Sequence, residues 1–190
     1  MRGQITVEAL DDTGTIRDSF TLSQSSGSTA IALPGRFEVE DYNAGYWDSS
    51  AGNNGGVYRG DDVDIQATSD NSGAYNVAWI TAGEWLAYDV NVASAGMYTF
   101  AIRAATPYSD RKIHLELDGA NISGPIALPN TGSWQRWTTV TTAPIALPSG
   151  RHTLRLVADT DSLNLNHLTV AAMSGTATTE APAATTQPSE

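Results

Sequence analysis

Apolar and polar residues alternate at a period of two through the central part of this chain. Leu86, Tyr88, Val90 and Val92 fall on one side of a segment, and Tyr98, Phe100, Ile102 and Ala104 on one side of the next. The SAG of residues 94–96 turns the chain between them. Ile113, Leu115 and Leu117 repeat the pattern before a DGAN turn at 118–121, and Leu154 and Leu156 repeat it after the PSG of 148–150. Side chains two apart on an extended chain share a face, so each run predicts a strand with one buried side. Clusters of Gly, Asn, Asp, Ser and Pro break up the runs from about Ala32 to Ala172. No stretch keeps a helical apolar period for two turns. The expectation is an all-β domain, and the regular strand spacing fits a β-sandwich.

The two flanks have a different texture. In ITVEAL, Ile5, Val7 and Ala9 alternate with polar residues, and the alternation resumes from Ile16 to Leu22 around Phe20. The DDTG between them is a turn signal, so the pair predicts a β-hairpin. A lone hairpin is marginal in water. Residues 1–29 are therefore expected to be the closing hairpin of a preceding domain plus a Ser-rich joint, SQSSGST; the alternative is an extension packed on the main domain. Residues 174–190, SGTATTEAPAATTQPSE, lack any aromatic or large aliphatic side chain and read as a disordered linker. Residues 30–173 remain as one module.

Charge narrows the partners. The 190 residues hold 21 acids against 10 bases, for a net charge of −11. Such a surface repels phosphate backbones and anionic headgroups, so neither nucleic acid nor membrane is the expected partner. Cysteine is absent, which excludes disulfides, thiolate zinc sites and cysteine nucleophiles. No apolar run approaches a membrane span. MRGQITVEAL has no apolar signal core, so any export signal is expected outside this chain.

Catalytic motifs are missing: there is no nucleophile elbow, phosphate-binding glycine loop or zincin helix. His114, His152 and His167 fall on separate predicted strands without ligand spacing. Paired carboxylates suffice for glycoside hydrolysis, and Asp61, Asp62, Asp64 and Glu84 are the candidates. Asp61 and Asp62 follow Gly60 and read more simply as a turn; Glu84 follows Gly83 at a strand start, where a carboxylate caps or pairs.

The aromatic residues say more. Trp47, Trp79, Trp85, Trp134 and Trp137 make five tryptophans against three phenylalanines. Packing alone favours Phe, Leu and Ile, whereas an indole adds a flat apolar face with a polar edge. That face suits the CH surface of a pyranose, while amides and acids take its hydroxyls. Trp134 and Trp137 stand three apart and on a strand would face opposite ways. Any one tryptophan taken alone reads better as core, but the set predicts at least one exposed sugar platform.

Several blocks then resemble one family in order. LPGRFEVEDY is similar to the first strand of family 6 carbohydrate-binding modules, with its Glu-x-Glu pair. NVAWITAGEWLAYDVNVASAGMYTFAIRAA resembles the central block, and TGSWQRWTTV and SLNLNHLTV resemble the segments framing the ligand cleft. The resemblance spans residues 33–171. It implies a β-sandwich of jelly-roll type whose cleft holds a sugar between two aromatics and an asparagine. By motif position these are Trp79, Trp134 and Asn164, with Trp79 where many members carry tyrosine. Some members use a second site on the concave sheet face, to which no residue here is assigned.

The resemblance further implies a structural calcium at Glu38, Glu40 and Asn166, completed by carbonyl oxygens. Members often have aspartate where Asn166 stands, so this site carries one charge less. The alternative for Glu38 and Glu40 is a solvent-facing pair on an edge strand. GNNGGVYRGDDVDIQATSD is more similar to modules of laminarin- and agar-degrading enzymes than to those of xylanases. The expected function is a non-catalytic, secreted, monomeric module that carries a glycoside hydrolase to chain ends of a β-1,3-glucan or agar-type galactan. The alternatives are a small glycosidase using Asp64 and Glu84, and a ligand-free spacer whose tryptophans are all core.

Overall fold

A computed structural model of the protein describes residues 4–10, 16–23 and 29–173. Strands β1 (Gln4–Leu10) and β2 (Ile16–Ser23) pair antiparallel as a separate two-stranded sheet, the hairpin that the N-terminal alternation predicts. The DDTG turn, most of the Ser-rich joint and the 174–190 tail lie outside the described residues.

The remaining strands are β3 (Ile31–Leu33), β4 (Gly35–Glu38), β5 (Tyr46–Trp47), β6 (Ile65–Ala67), β7 (Tyr75–Val77), β8 (Trp85–Val92), β9 (Gly96–Ala105), β10 (Arg111–Leu117), β11 (Ala120–Asn121), β12 (Ile126–Leu128), β13 (Thr138–Thr141), β14 (Ile145–Leu147), β15 (Gly150–Ala158) and β16 (Asn164–Ala172). They form two sheets. One runs β11-β10-β15-β8-β3, with β12 on β10 and β5 on β8. The other runs β13-β9-β16-β7-β6, with β14 on β9 and β4 on β16. Consecutive long strands such as β8 and β9 lie in opposite sheets, giving the jelly-roll β-sandwich expected from the sequence. The one helical element among the described residues is a single 3₁₀ turn at Val39–Asp41.

The period-two faces meet in the middle. Leu86, Tyr88, Val90 and Val92 from one sheet and Tyr98, Phe100, Ile102 and Ala104 from the other are all buried, as are Ile113, Leu115, Leu154 and Leu156. Tyr88 is fully buried, so its hydroxyl needs a partner; it donates to the Val39 carbonyl at 2.7 Å.

Between β5 and β6 the chain has no regular element, yet side chains fix its path. The Asn53 amide donates to the carbonyls of Val57 and Arg59 and accepts from the N–H groups of Gly55, Gly56 and Ile65. Gly55 lies so close to β6 that a β-carbon there would sit 1.9 Å from the Ile65 carbonyl oxygen. Only glycine fits.

Phe100 fills the space between the sheets at zero exposure. Phe100→Ala is expected to cost about 3–5 kcal/mol by urea denaturation. A loss below about 1 kcal/mol would show that the sheets do not pack through it.

Candidate functional site

Trp79, Trp134 and Asn164 come together at one cleft, with Gln66, Ala78 and Gln135 as its other walls and an empty volume of about 570 Å³. The two indoles are 52% and 41% exposed, while Asn164 is buried at its base. The lining is two aromatics and three side-chain amides, without a charged group.

Backbone anchors present each wall. Trp79 lies in the loop between β7 and β8, with φ at +50°, in the left-handed region that a bulky side chain rarely adopts. Its neighbours hold it there: Ala78 N–H donates to the Asp64 carbonyl, and the Ile80 carbonyl accepts from Ser162 N–H, both at 2.9 Å. With Ala78 and Ile80 buried, the residue between them is turned outward. Such strain persists only where the surroundings enforce it, and it clusters at functional sites.

Trp134 sits in the turn before β13 rather than on a strand, which corrects the strand geometry used to separate it from Trp137. The two still face different spaces, because the turn places Trp134 in the cleft and Trp137 in a groove behind it. Tyr108 meets the Trp134 ring edge-on, with centroids 5.7 Å apart. Asn164 Nδ2 donates to the Trp134 carbonyl at 2.8 Å, so this asparagine also anchors the platform beside it.

Sequence reasoning missed Gln135. Its Oε1 accepts from Ser69 N–H at 2.9 Å and from Trp137 Nε1 at 3.3 Å, and its Nε2 donates to the fully buried Asn76 at 3.1 Å. It ties the Trp134 turn to strand β7 and to the loop between β6 and β7. The available signal was its place between two tryptophans in TGSWQRWTTV.

Glu38 ends β4, Glu40 lies in the 3₁₀ turn and Asn166 is on β16, so the two glutamates do not form an edge-strand pair. Glu40 and Asn166 are buried. Among the described residues, the buried side-chain atoms without a hydrogen-bond partner are Glu38 Oε2, Glu40 Oε2, Asn166 Oδ1 and Arg155 Nε. The first three are hard oxygen acceptors from the three residues in question, the donor type that calcium takes. Burial pushes the Glu40 carboxyl up to about 7, and Glu38 and Asp41 press the same way against an opposing backbone hydrogen bond. A cation would reverse that penalty.

The surroundings aim these oxygens. Asn166 Nδ2 donates to Asp70 at 3.0 Å, which turns Oδ1 to the other side. Asp70 is itself fixed by Arg103, whose guanidinium holds the carboxyl down at about 2. A β-carbon on Gly73 would lie 2.9 Å from Asn166 Oδ1 and 3.3 Å from Glu38 Oε2, so both oxygens border one spot that Gly73 leaves open. No cluster of three or more His, Asp or Glu side chains suited to a metal exists among the described residues. Two carboxylates and an amide thus form the side-chain set, and the residues fit a calcium completed by carbonyls.

The carboxylates considered for catalysis are engaged elsewhere. Asp64 accepts from the Asn54 N–H at 2.6 Å and the Asn54 side chain at 2.9 Å. Glu84 accepts from Ser49 N–H, Ser49 Oγ and Thr81 N–H. Both brace loops, and neither lines the cleft.

A family model described as carbohydrate binding module (family 6) matches residues 57–172. The chain belongs to that family. The match takes in the cleft residues and Asn166, while Glu38 and Glu40 precede it. The structure is similar to the module of Cellvibrio mixtus lichenase 5A solved with cellotriose, at 28% identity and TM-score 0.60 over 74% of this chain and 98% of that one. It is similar also to the C-terminal family 6 module of a marine laminarinase from Zobellia galactanivorans, at 26% identity and TM-score 0.59 over 72% and 97%. Among curated proteins, the clotting factor G alpha subunit of Tachypleus tridentatus is 33% identical over 110 residues, which cover 57% of this chain and 16% of that subunit.

Gln135→Ala is expected to lower stability by about 1–3 kcal/mol by chemical denaturation, because it strands a buried Asn76 acceptor. Wild-type stability in this variant would mean that the contacts do not hold the family 6 cleft together.

Proposed function

We propose that this module binds the terminal residues of a neutral glycan, a β-1,3-glucan or an agar-type galactan, between Trp79 and Trp134, with Asn164 bonding a hydroxyl. One observation carries the reading. Two largely exposed indoles wall a cleft lined otherwise by amides and Ala78, with no charge. Indole faces cover the apolar CH faces of a pyranose, and amides supply both donors and acceptors to its hydroxyls. A charge-free lining favours a neutral sugar. The likeness to a laminarinase module and to a lichenase module solved with cellotriose supports a glucan.

The module itself is non-catalytic in this reading, since Asp64 and Glu84 are committed to loop backbone and lie off the cleft. It acts as a monomer, residues 30–173 of a secreted multidomain glycoside hydrolase, joined to its neighbours through 1–29 and 174–190. Calcium is held by Glu38, Glu40 and Asn166 and ties the first strands of the sandwich to the last.

Each sugar hydroxyl gives up water to reach the protein, so its hydrogen bond nets only about 0.5–1.5 kcal/mol. A site for one or two rings therefore reaches roughly millimolar to micromolar Kd. Trp134→Ala removes one wall and is expected to weaken laminarin-oligosaccharide binding at least tenfold, about 1.4 kcal/mol, by titration calorimetry with circular dichroism unchanged. Asn164→Ala acts twice, on the hydroxyl contact and on the Trp134 carbonyl, and should lose at least as much. Mild hydrolysis of laminarin should raise the number of sites per gram if chain ends are gripped. Undiminished affinity in Trp134→Ala would place the sugar elsewhere.

Calcium binding only the folded state adds about 2.7 kcal/mol at a hundredfold excess over Kd. The melting temperature should rise with calcium and fall with chelator, while sugar affinity of the folded protein stays the same. Identical melting curves in both conditions would remove the ion.

A further inference from the structure

The turn bearing Trp134 has a second side. Behind it lies an open groove lined by Pro129, Asn130, Thr131, Gly132, Arg136, Trp137 and Thr138, with an empty volume of about 890 Å³. The two spaces differ in charge. The Trp79–Trp134 cleft holds no ionised group, whereas this groove holds one guanidinium and no carboxylate.

That guanidinium is exceptional in the molecule. Seven arginines have described side chains, and six of them form an ion pair: Arg36 with Glu38, Arg59 with Asp61, Arg103 with Asp70, Arg111 with Asp161, Arg151 with Asp89 and Arg155 with Glu116. Arg136 has no such partner among the described residues. In a chain of net charge −11, an arginine meets a carboxylate on nearly any surface. A groove free of acids that contains the exposed, unpaired Arg136 can therefore receive an anion with no carboxylate competing for the guanidinium.

The rest of the lining suits a sugar. Trp137 is half-buried and its Nε1 is spent on Gln135, so the indole needs no further polar partner and offers the groove apolar ring surface. Thr138 adds a hydroxyl, while that of Thr131 is spent on Thr106 and Ser133 and the Asn130 amide oxygen already takes Gly132 N–H at 2.7 Å. A planar guanidinium binds carboxylate and sulfate oxygens in a bidentate manner.

We propose that this groove is a second glycan site, selective for a sugar carrying an anionic group, either a uronate carboxylate or a sulfate ester. The strongly negative remainder of the surface repels a densely charged polyanion. The ligand is thus an isolated acidic sugar in an otherwise neutral glycan.

The site can be read residue by residue in the full chain by nuclear magnetic resonance. The probes are glucuronate and galactose 6-sulfate, with glucose and galactose as neutral partners. At least one acidic sugar should shift the Arg136 Nε and Trp137 Nε1 signals in a saturable manner, and the neutral sugars should not. Which acid does so identifies carboxylate or sulfate. Arg136→Gln should weaken that binding about tenfold or more, the scale of one charge-assisted pair. Trp134→Ala should leave it in place. The proposal is overturned if neither acid shifts these signals, if neutral sugars shift them equally, or if the Trp137 Nε1 shift survives Arg136→Gln unchanged. Laminarin oligosaccharides, followed at the Trp79 and Trp134 indoles, report on the neutral cleft separately, so either site can fail without the other.

Discussion

Three asparagines buried among apolar side chains govern this molecule. Asn76 on β7, Asn164 on β16 and Asn166 on β16 are each almost fully removed from water, where an unpaired amide group costs about 1–3 kcal/mol. Each therefore dictates a neighbour. Asn76 requires Gln135, Asn164 takes the Trp134 carbonyl, and Asn166 gives its amide N–H to Asp70 while its oxygen has no partner among the described residues. Strands β7 and β16 pair at Val77 and Leu165, so these demands converge on one region of one sheet. The proposed sugar platform and the proposed cation set both border that region. The apolar core explains why a sandwich forms; the buried amides explain why its loops have one arrangement.

Electrostatics sort the surface in the same economical way. Most acids are paired or accept backbone N–H groups, as Asp62 does from Gly52 and Asp118 from Thr153. An acidic chain can thus keep a cleft without charge, because its carboxylates have been assigned elsewhere by loop geometry. Two of the three histidines follow the rule: His114 pairs with Asp159 and His152 with Asp118, each at 2.7 Å, while His167 faces the Ser72 hydroxyl. These pairs lie away from the cleft lining, and none suggests chemistry beyond holding strands in register.

The strand faces were legible because a period of two needs only local sequence. Leu86 to Val92 and Tyr98 to Ala104 point inward as their alternation requires. The cleft residues were legible for another reason, their resemblance to motif blocks; alternation alone could not have distinguished Trp79 from Trp85. What stayed hidden was long-range. Gln135 reaches Ser69 and Asn76 across 66 and 59 positions, and Asp70 reaches Asn166 across 96. No local pattern announces such contacts. The strand geometry assumed for Trp134 and Trp137 failed because a turn occupies that segment, and Asn164 has an anchoring duty that a list of sugar contacts omits.

Fixing the backbone that carries the indoles before any ligand arrives has a thermodynamic consequence. A mobile loop must be ordered when its ligand binds, at a cost in free energy additional to that of its side chains. Here the residues on either side of Trp79 are held by Asp64 and Ser162, and the Trp134 turn is held through Asn164 and Gln135. Part of that cost is met during folding, which matters when each sugar hydroxyl contributes so little. The same turn bears Trp137 and Arg136 on its far side, with Gln135 bonded to the Trp137 indole. Its two faces therefore share one anchor.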